Sequence, residues 1–170
     1  TTSGHSGAPI ASAVEGTTGG AFFVRVHGQG VISGNTIVHN TAPTFAAGSV
    51  YLTSAGPSFS FTNNNISHNT STDTNGSAFF VSGNASITQN NIYNNSAFFA
   101  VFLGYDEAVI NNTGHSLDLS AENNWWGSSD SSAINTLVFD FSDDPTRGIL
   151  DFTPFLTAPD TTAPPSPPAN

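Results

Sequence analysis

The stretch ISGNTIVHNTA, at positions 32–42, decides the fold, because closely similar stretches return twice along the chain. They read FTNNNISHNTS at 61–71 and ITQNNIYNNSA at 87–97. Their alignment gives a column of asparagines and a column of isoleucines: Asn35, Asn64 and Asn90, then Ile37, Ile66 and Ile92. Repetition in step at this spacing is typical of a chain built from stacked repeat units.

A second set of columns lies upstream of each stretch. The segments GGAFFV (19–24), AGSVYL (47–52) and NGSAFFV (75–81) each place small residues before an apolar run. One repeat unit therefore reads as an apolar strand, a connection, a second strand, an Asn turn and a third short strand, with a period of about 26–29 residues. Such a unit buries its apolar face only by stacking on its neighbours.

The segments predict strands rather than helices. They are short, rich in β-branched and aromatic residues, and interrupted by Gly and Asn. Strands of the same sense stack without helical crossovers when the chain coils, and the preferred hand of parallel connections is right. We expect an all-β chain, a right-handed parallel β-helix of about four to five coils.

The Asn and Ile columns have distinct predicted roles. Asn tolerates the left-handed conformation that a sharp turn requires. Coils about 4.8 Å apart would let the Asn amides bond to one another as a ladder, while each Ile points inward. With the fourth unit, NNW at 123–125, the predicted ladder and core positions are Asn35, Asn64, Asn90, Asn123, Ile37, Ile66, Ile92 and Trp125.

Four parts of the chain follow from this pattern. Residues 1–18 form an N-terminal extended segment and residues 19–128 carry the repeats. Residues 129–156 are expected to form a C-terminal cap, in which SAINTLVFDF (132–141) is a short helix or irregular and ILDFTPFL (149–156) is a last strand lying across the core. The Pro-rich residues 157–170, called the tail below, should be extended.

Composition excludes some partners and indicates a location. The chain has twelve acidic residues and only two basic ones, Arg25 and Arg147, so its net charge is −10. This charge disfavours binding to nucleic acid and to anionic membrane surfaces. No apolar run reaches the length of a membrane span. Low charge, abundant Asn, Ser and Thr, and the absence of Cys and Met favour an extracellular or cell-surface protein.

The combined pattern resembles a family. The columns GGAFF and N-x-I-x-x-N-x-A, followed by ENNWWG (122–127) and DFTPFL (151–156), resemble bacterial and archaeal surface proteins of the parallel β-helix repeat type. These share the pectate-lyase-like fold, and the resemblance spans residues 19–156. It implies the architecture and an extracellular setting, but no particular activity.

The resemblance brings expectations about catalysis that the residues do not meet. Lyases of this fold use an Arg or Lys base with Ca²⁺ held by Asp, and the hydrolases use several Asp on adjacent coils. This chain has no Lys, and Glu15 and Asp73 are the only acids before residue 106. No nucleophile is evident for which His115 could act as the general base. We expect no enzyme and no cofactor.

Metal binding has two weak candidates. Acidic residues crowd the C-terminal region and could hold Ca²⁺, although they match no known loop and could equally form a solvated face: Asp106, Glu107, Asp140, Asp143, Asp144 and Asp151. His39 and His68 share one column and could bind a metal, but Asn94 follows in the third unit. Stacked turn residues are the better interpretation.

Six Asn-x-Ser/Thr sequons could accept a glycan if they point outward. Their number is little above chance. They are Asn65, Asn69, Asn75, Asn84, Asn94 and Asn111.

The functional hypotheses are three. The first is a structural subunit of a filament or surface coat that self-associates end to end, because a coil of strands exposes edges at both ends and APIASAVEG (8–16) offers little to cover one of them. In this hypothesis the tail docks on an adjacent subunit. The second is an adhesin or glycan-binding module that uses Tyr51, Tyr93 and Tyr105 on polysaccharide or a cell surface. The third is a polysaccharide lyase or hydrolase.

Overall fold

The computed structural model of the chain describes residues 22–26, 30–42, 50–71, 79–96, 101–103 and 119–166. These residues are mostly β-strand in parallel sheets with little helix, so the predicted all-β class is confirmed. The elements are β1 (Phe22–Val26), β2 (Gly30–Ser33), β3 (Thr36–Val38), β4 (Thr41–Ala42), β5 (Val50–Thr62), β6 (Asn65–Ser67), β7 (Thr70–Ser71), β8 (Phe79–Thr88), β9 (Asn91–Tyr93), β10 (Val101–Leu103), β11 (Leu119–Ser120), α1 (Ser131–Asn135), β12 (Val138–Phe139) and β13 (Leu150–Asp151).

The largest sheet runs β1-β5-β8-β10-β12, and all neighbouring strands in it are parallel. β2 pairs with β5, β11 with β8, and β13 with β11. The upstream apolar columns lie in the register that the sequence predicts, with Phe22, Val50 and Phe79 opposite one another. Val101 of β10 pairs with Phe79 and extends this row. The strands β12 and β13 of the predicted cap join this same sheet.

Two smaller sheets hold the repeated stretches. β3, β6 and β9 form a three-stranded parallel sheet, and β4 pairs with β7. The middle residues of the three-stranded sheet are Ile37, Ile66 and Ile92, which lie in register and are buried. Each of the first two repeat units therefore contributes strands to all three sheets. This inward isoleucine column agrees with the sequence prediction.

The register of the large sheet shifts once, between β5 and β8. Ser54 pairs with Gly83, yet the next pair joins Phe59 to Ala85. β5 therefore advances five positions where β8 advances two, a difference of three residues. Successive asparagines of the first column are separated by 29 residues from Asn35 to Asn64 and by 26 residues from Asn64 to Asn90. The three extra residues of β5 therefore explain why the first separation is three residues longer than the second.

A ladder of asparagine amides joins the repeat units, as the first column predicts. The Asn35 backbone N–H and Nδ2 both donate to Asn64 Oδ1, each at 3.0 Å. Asn64 donates in the same way to Asn90 Oδ1, at 2.9 and 3.0 Å. Each Nδ2 also donates to backbone carbonyls, and in Asn64 these belong to Ile32 and Thr62. The amides thus satisfy backbone groups of two successive units.

The left-handed conformation falls on the residue before each ladder asparagine, and not on the asparagine itself as predicted. Gly34, Asn63 and Gln89 have φ values of 71°, 55° and 58°. This sharp turn aims the following asparagine side chain along the stack, so conformation and hydrogen bonding are divided between two neighbouring residues.

A second ladder, at positions for which no ladder was predicted, lies at the other end of the three-stranded sheet. Asn40 Nδ2 donates to Asn69 Oδ1 at 2.8 Å, and Asn69 Nδ2 donates to Asn95 Oδ1 at 2.9 Å. The preceding residues are again left-handed: His39, His68 and Asn94 have φ values of 58°, 58° and 53°. Both ends of this sheet are therefore held by the same arrangement, a left-handed residue followed by a hydrogen-bonded asparagine.

The fourth unit corrects the sequence prediction by one position. Asn90 donates to Asn124 Oδ1, so Asn124 and not Asn123 continues the first ladder. Asn123 takes the left-handed position, with a φ of 57°. The buried ring is accordingly Trp126, whereas Trp125 is half-buried and pairs with Asn91.

Residues 149–156 cover the C-terminal end of the stack. Leu119 and Ala121 donate to the carbonyls of Ile149 and Asp151. Asn123 donates to the Pro154 carbonyl, and Leu156 donates back to Asn124. The predicted last strand over 149–156 is present only as Leu150–Asp151, and it pairs in parallel with β11 instead of lying across the core. The helix α1 is short, and Asp130 caps it by accepting from the Ser132 N–H.

We expect Asn90→Ala to lower the free energy of unfolding by about 3 kcal/mol or more. The substitution removes the donor to Phe61 O and Thr88 O and the acceptor for Asn64, and each buried unpaired group costs about 1–3 kcal/mol. Urea unfolding measures the change. The control is Asn135→Ala on the exposed side of α1, expected within about 0.5 kcal/mol. Equal effects of the two variants would contradict the role of the ladder.

Trp126 allows a second test of the core. Its ring is 1% exposed and its Nε1–H is buried with no hydrogen-bond partner. We expect Trp126→Phe to change stability by about 1.5 kcal/mol or less because it removes an unpaired donor together with some volume. Trp126→Ala should cost about 3–5 kcal/mol. Thermal unfolding monitored by circular dichroism measures both, and a Phe variant as unstable as the Ala variant would refute this account.

Candidate functional site: the outer face of the three-stranded sheet

The side chains that flank the isoleucine column point to the outside of the β3-β6-β9 sheet, because successive residues of a strand face opposite ways. Four of them are nevertheless buried: Thr36, Asn65, Ser67 and Asn91 are 6, 2, 0 and 4% exposed. The cause is the tail, whose residues 160–166 lie over this surface, called the outer face below. Polar side chains buried between two parts of a chain indicate a specific contact.

The tail therefore contacts its own chain, which corrects the expectation that it docks on an adjacent subunit. Its described part, 157–166, contacts side chains from three successive strands of the sheet through hydrogen bonds of Thr36, Asn65 and Asn91. It is also not extended throughout, because Asp160 Oδ1 accepts from the Thr162 N–H and Oγ1 and so forms a turn.

Asn91 binds the tail through both ends of its amide. Asn91 Oδ1 accepts from the Asp160 N–H at 2.7 Å, and Asn91 Nδ2 donates to the Asp160 carbonyl at 2.9 Å. This two-way pair has the same donors and acceptors as a hydrogen-bonded residue pair between two strands. The side chain therefore acts as a strand edge for the tail residue.

Asn65, one strand away, makes only half of such a pair. Its Nδ2 donates to the Pro164 carbonyl at 2.9 Å and to Ser166 Oγ at 3.1 Å. Its Oδ1 is buried and has no hydrogen-bond partner. Thr36 Oγ1 adds a long bond of 3.4 Å to the Pro165 carbonyl. The prolines thus accept hydrogen bonds here but have no N–H to return.

Ser166, the last described residue of the tail, is the centre of a small hydroxyl network. Its Oγ lies 3.0 Å from Ser67 Oγ and 2.6 Å from the Tyr93 hydroxyl. Burial alone raises the pKa of Tyr93. The hydrogen bonds from Ser166, Ser67 and Asn65 outweigh it and hold the pKa below its usual value of 10.0.

A shallow groove of about 350 Å³ lies where the tail leaves the cap. Its lining combines two left-handed turn residues, the last residue of the cap and the first part of the tail: Gln89, Asn123, Leu156, Ala158, Pro159, Asp160 and Thr161. Asp160 is the only ionisable side chain among them, and its Oδ1 already accepts the turn bonds of Thr162. The groove therefore offers hydrogen bonding and apolar contact, with no pair of groups for acid–base chemistry.

The acidic residues proposed for Ca²⁺ are engaged in turns instead. Asp140 accepts from Ser142 and from the Leu150 N–H, and Asp151 accepts from Thr153. Asp143 Oδ2 accepts from the Asp140 N–H at 3.3 Å. Within the described ranges no three acidic, His or Cys side chains lie close enough to hold a metal. Asp106 and Glu107 lie outside those ranges.

Asp144 belongs to a local ion pair. Its Oδ1 accepts from Thr146 N–H and Oγ1, and its Oδ2 accepts from Arg147 Nε at 3.1 Å. The bonds from Thr146, followed by the Arg147 guanidinium, lower the pKa of Asp144. The buried Arg147 also lies over the Phe139 ring, 5.3 Å from its centre. Arg147 thus has a structural role in the cap.

His39 and His68 lie on top of one another at the second turn. Their ring centres are 5.2 Å apart with an angle of 29° between the planes, and Tyr93 meets His68 edge-on. This agrees with stacked turn residues. A third ligand from Asp, Glu, Cys or His does not join them in the part of the chain that the structure describes.

Two of the sequon asparagines are unsuitable for a glycan in the folded chain. Asn65 and Asn69 are buried, and the Nδ2 that would carry the sugar donates hydrogen bonds in both. Asn94 is exposed. Asn75 and Asn111 lie outside the described residues, as do Tyr105, His115 and the segment 8–16; for Asn84, Tyr51 and Arg25 only the backbone is described.

The outer face was not predicted from the sequence. A signal was present, since Thr36, Asn65 and Asn91 form a polar column in a strand whose outer side would otherwise face water. No pattern in the tail, however, indicated that it would cover this column.

Comparisons with known proteins do not assign the chain to a family. No family model matches the chain, and neither curated proteins nor solved structures gave a match. None of the helices in the described ranges has the length and apolar character needed to cross a membrane.

We expect Ser166→Ala to raise the pKa of Tyr93, because it removes a hydrogen bond that favours the ionised phenol. The difference in tyrosinate absorbance between each protein and its Tyr93→Phe counterpart isolates this group. Since the pKa is lowered in the folded chain, ionisation stabilises the contact above the ordinary pKa of about 10, and this contribution is lost as the pH falls through the lowered value. An unchanged Tyr93 titration in the Ala variant would contradict the network.

Proposed function

We propose that the chain is a structural, extracellular or cell-surface protein, folded as a right-handed parallel β-helix of the surface-protein repeat type. In this proposal it self-associates end to end through the edge of its first repeat unit. The parallel registers across the three sheets support the coil, because strands of successive units lie beside one another with their sequence columns aligned.

The observation that carries the proposal is the open edge of the first unit. β1, β3 and β4 stand at the ends of their sheets, each paired on one side only within the described residues. Unpaired strand edges readily accept another strand. Val31 on neighbouring β2 is 62% exposed, so this edge also presents an apolar side chain.

Within the described residues, both asparagine ladders end at this edge with a side-chain oxygen that accepts no hydrogen bond. Asn64 Oδ1 receives the N–H and Nδ2 of Asn35, and Asn69 Oδ1 receives those of Asn40. No described residue donates in turn to the Oδ1 of Asn35 or Asn40. A further strand with a suitable turn would continue both ladders without rearrangement of the first unit.

At the opposite end residues 149–156 pair with the fourth unit, and β12 and β13 are there paired on one side only within the described residues. Phe152 and Phe155 are half-buried there, with their ring centres 6.2 Å apart. Contacts between unlike ends of identical subunits propagate into open assemblies, whereas contacts between like ends close as dimers. The proposal is end-to-end contact between the open edge and the covered end.

A glycan-binding role has less support. Tyr93, one of the three tyrosines considered for sugar stacking, is half-buried, and its hydroxyl is bonded to Ser166. The proposal therefore assigns the aromatic and amide groups of this region to internal contacts.

Electron microscopy of the purified protein, with light scattering over a range of concentrations, tests the proposal. We expect ordered fibres, and their loss in Val31→Lys, because a charge at an edge strand opposes pairing. The control is Thr161→Lys, which adds the same charge at an exposed position of the tail and should leave assembly intact. Monomers at all concentrations, or equal effects of the two variants, would refute it.

A further inference from the structure

The two outer asparagines bind the tail unequally. Asn91 exchanges two hydrogen bonds with Asp160, whereas Asn65 only donates, and its Oδ1 is buried without a partner. Asn65 is 2% exposed, so the surrounding groups enclose this oxygen. A buried acceptor with no donor is uncommon in a folded protein and marks a place where a ligand group fits.

We propose that the outer face is a binding surface for an extended peptide segment of another protein, and that the tail is a resident, imperfect occupant of it. The surface comprises Thr36, Asn65, Ser67, Asn91 and Tyr93, and it recognises the peptide through backbone amides. This inference does not depend on the self-association proposed above.

The missing donor can be placed on one residue of the tail. In an extended segment the N–H and carbonyl of one residue point to the same side, as they do in the Asp160 pair with Asn91. Asn65 binds the carbonyl of Pro164. The backbone nitrogen in position to donate a hydrogen bond to Asn65 Oδ1 is therefore that of Pro164, which carries no hydrogen.

The chemistry of the surface defines the partner. All five of its side chains are uncharged at neutral pH, so it selects for amide and hydroxyl groups rather than for charge. Ala163 is 6% exposed, which requires a small residue just before the Pro164 position. Ser166 bonds to Asn65, Ser67 and Tyr93, which requires a hydroxyl two residues after that position. The fitting segment reads small residue, any residue but Pro, any residue, Ser.

Displacement of the tail is feasible because its link to the cap is short and exposed. Residues 157–159 are exposed, so the tail can leave without unfolding the cap. The tail competes at a high effective concentration, since it is tethered. A partner segment gains over the tail by the one hydrogen bond that Pro164 cannot make.

Peptide binding tests the proposal directly. The receptor is the full chain with Ser166→Ala, which weakens its own tail and leaves the outer face unchanged. The probes are fluorescent peptides of residues 157–170 in three forms: natural, with Pro164→Ala, and with Pro165→Ala. We expect the Pro164→Ala peptide to bind about fivefold tighter than both others by fluorescence anisotropy, because a satisfied acceptor outweighs the lost rigidity of proline. The Pro165→Ala peptide is matched, as it gains an N–H that does not face Asn65.

Variants of the receptor locate the effect. Adding Asn65→Ala should abolish the preference for the Pro164→Ala peptide, whereas adding Asn91→Ala should weaken all three peptides and preserve the preference. The substitutions Pro164→Ala and Pro165→Ala in the full chain leave the outer face unaltered, and hydrogen exchange of the Asp160 amide reports how tightly the tail is bound. We expect slower exchange in the Pro164→Ala chain only. Absence of saturable binding, equal affinities for the three peptides, or a preference that survives Asn65→Ala would each overturn the proposal.

Discussion

The asparagine side-chain amide is the interaction on which the rest of the fold depends. At each turn of the three-stranded sheet, backbone groups of two repeat units meet away from water, and one amide bonds to both. Asn90 shows this most fully, since its Nδ2 donates to Phe61 O and Thr88 O and approaches Asn124 Oδ1. Hydrogen bonds in such a chain polarise one another in the same direction. The isoleucine column then packs beneath turns whose positions are already set.

The outer face uses the same chemistry toward a different part of the chain. Inside the stack, an amide binds the next amide and the two backbone segments beside it. Outside, the amide of Asn91 binds both polar groups of a single tail residue and so takes the place of a strand. Asn65 is prepared for the same exchange but meets a proline. A protein with few charges thus relies on amides both for its own cohesion and for contacts with extended segments.

Much of the repeat architecture could be predicted from the sequence, because one repeated pattern places equivalent residues in equivalent environments. The register of Ile37, Ile66 and Ile92 and the first ladder up to Asn90 follow from alignment alone. The shift from Asn123 to Asn124 did not, since two adjacent asparagines at 123 and 124 fit the column equally and only packing selects Trp126 for the interior. The outer face was missed because the tail reaches it from about 70 to 130 residues away in sequence, and no local pattern encodes such a contact.

The shifted register between β5 and β8 has a consequence for how such a chain can change in length. Four residues, 55–58, stand on β5 where β8 has Asn84 alone, yet the pairs on both sides of this place remain aligned. Loop closure costs little for each added residue, so we expect this irregular part of β5 to tolerate insertions that the asparagine turns would not. We therefore expect a foreign peptide grafted between Ser54 and Phe59 to be displayed without loss of the fold.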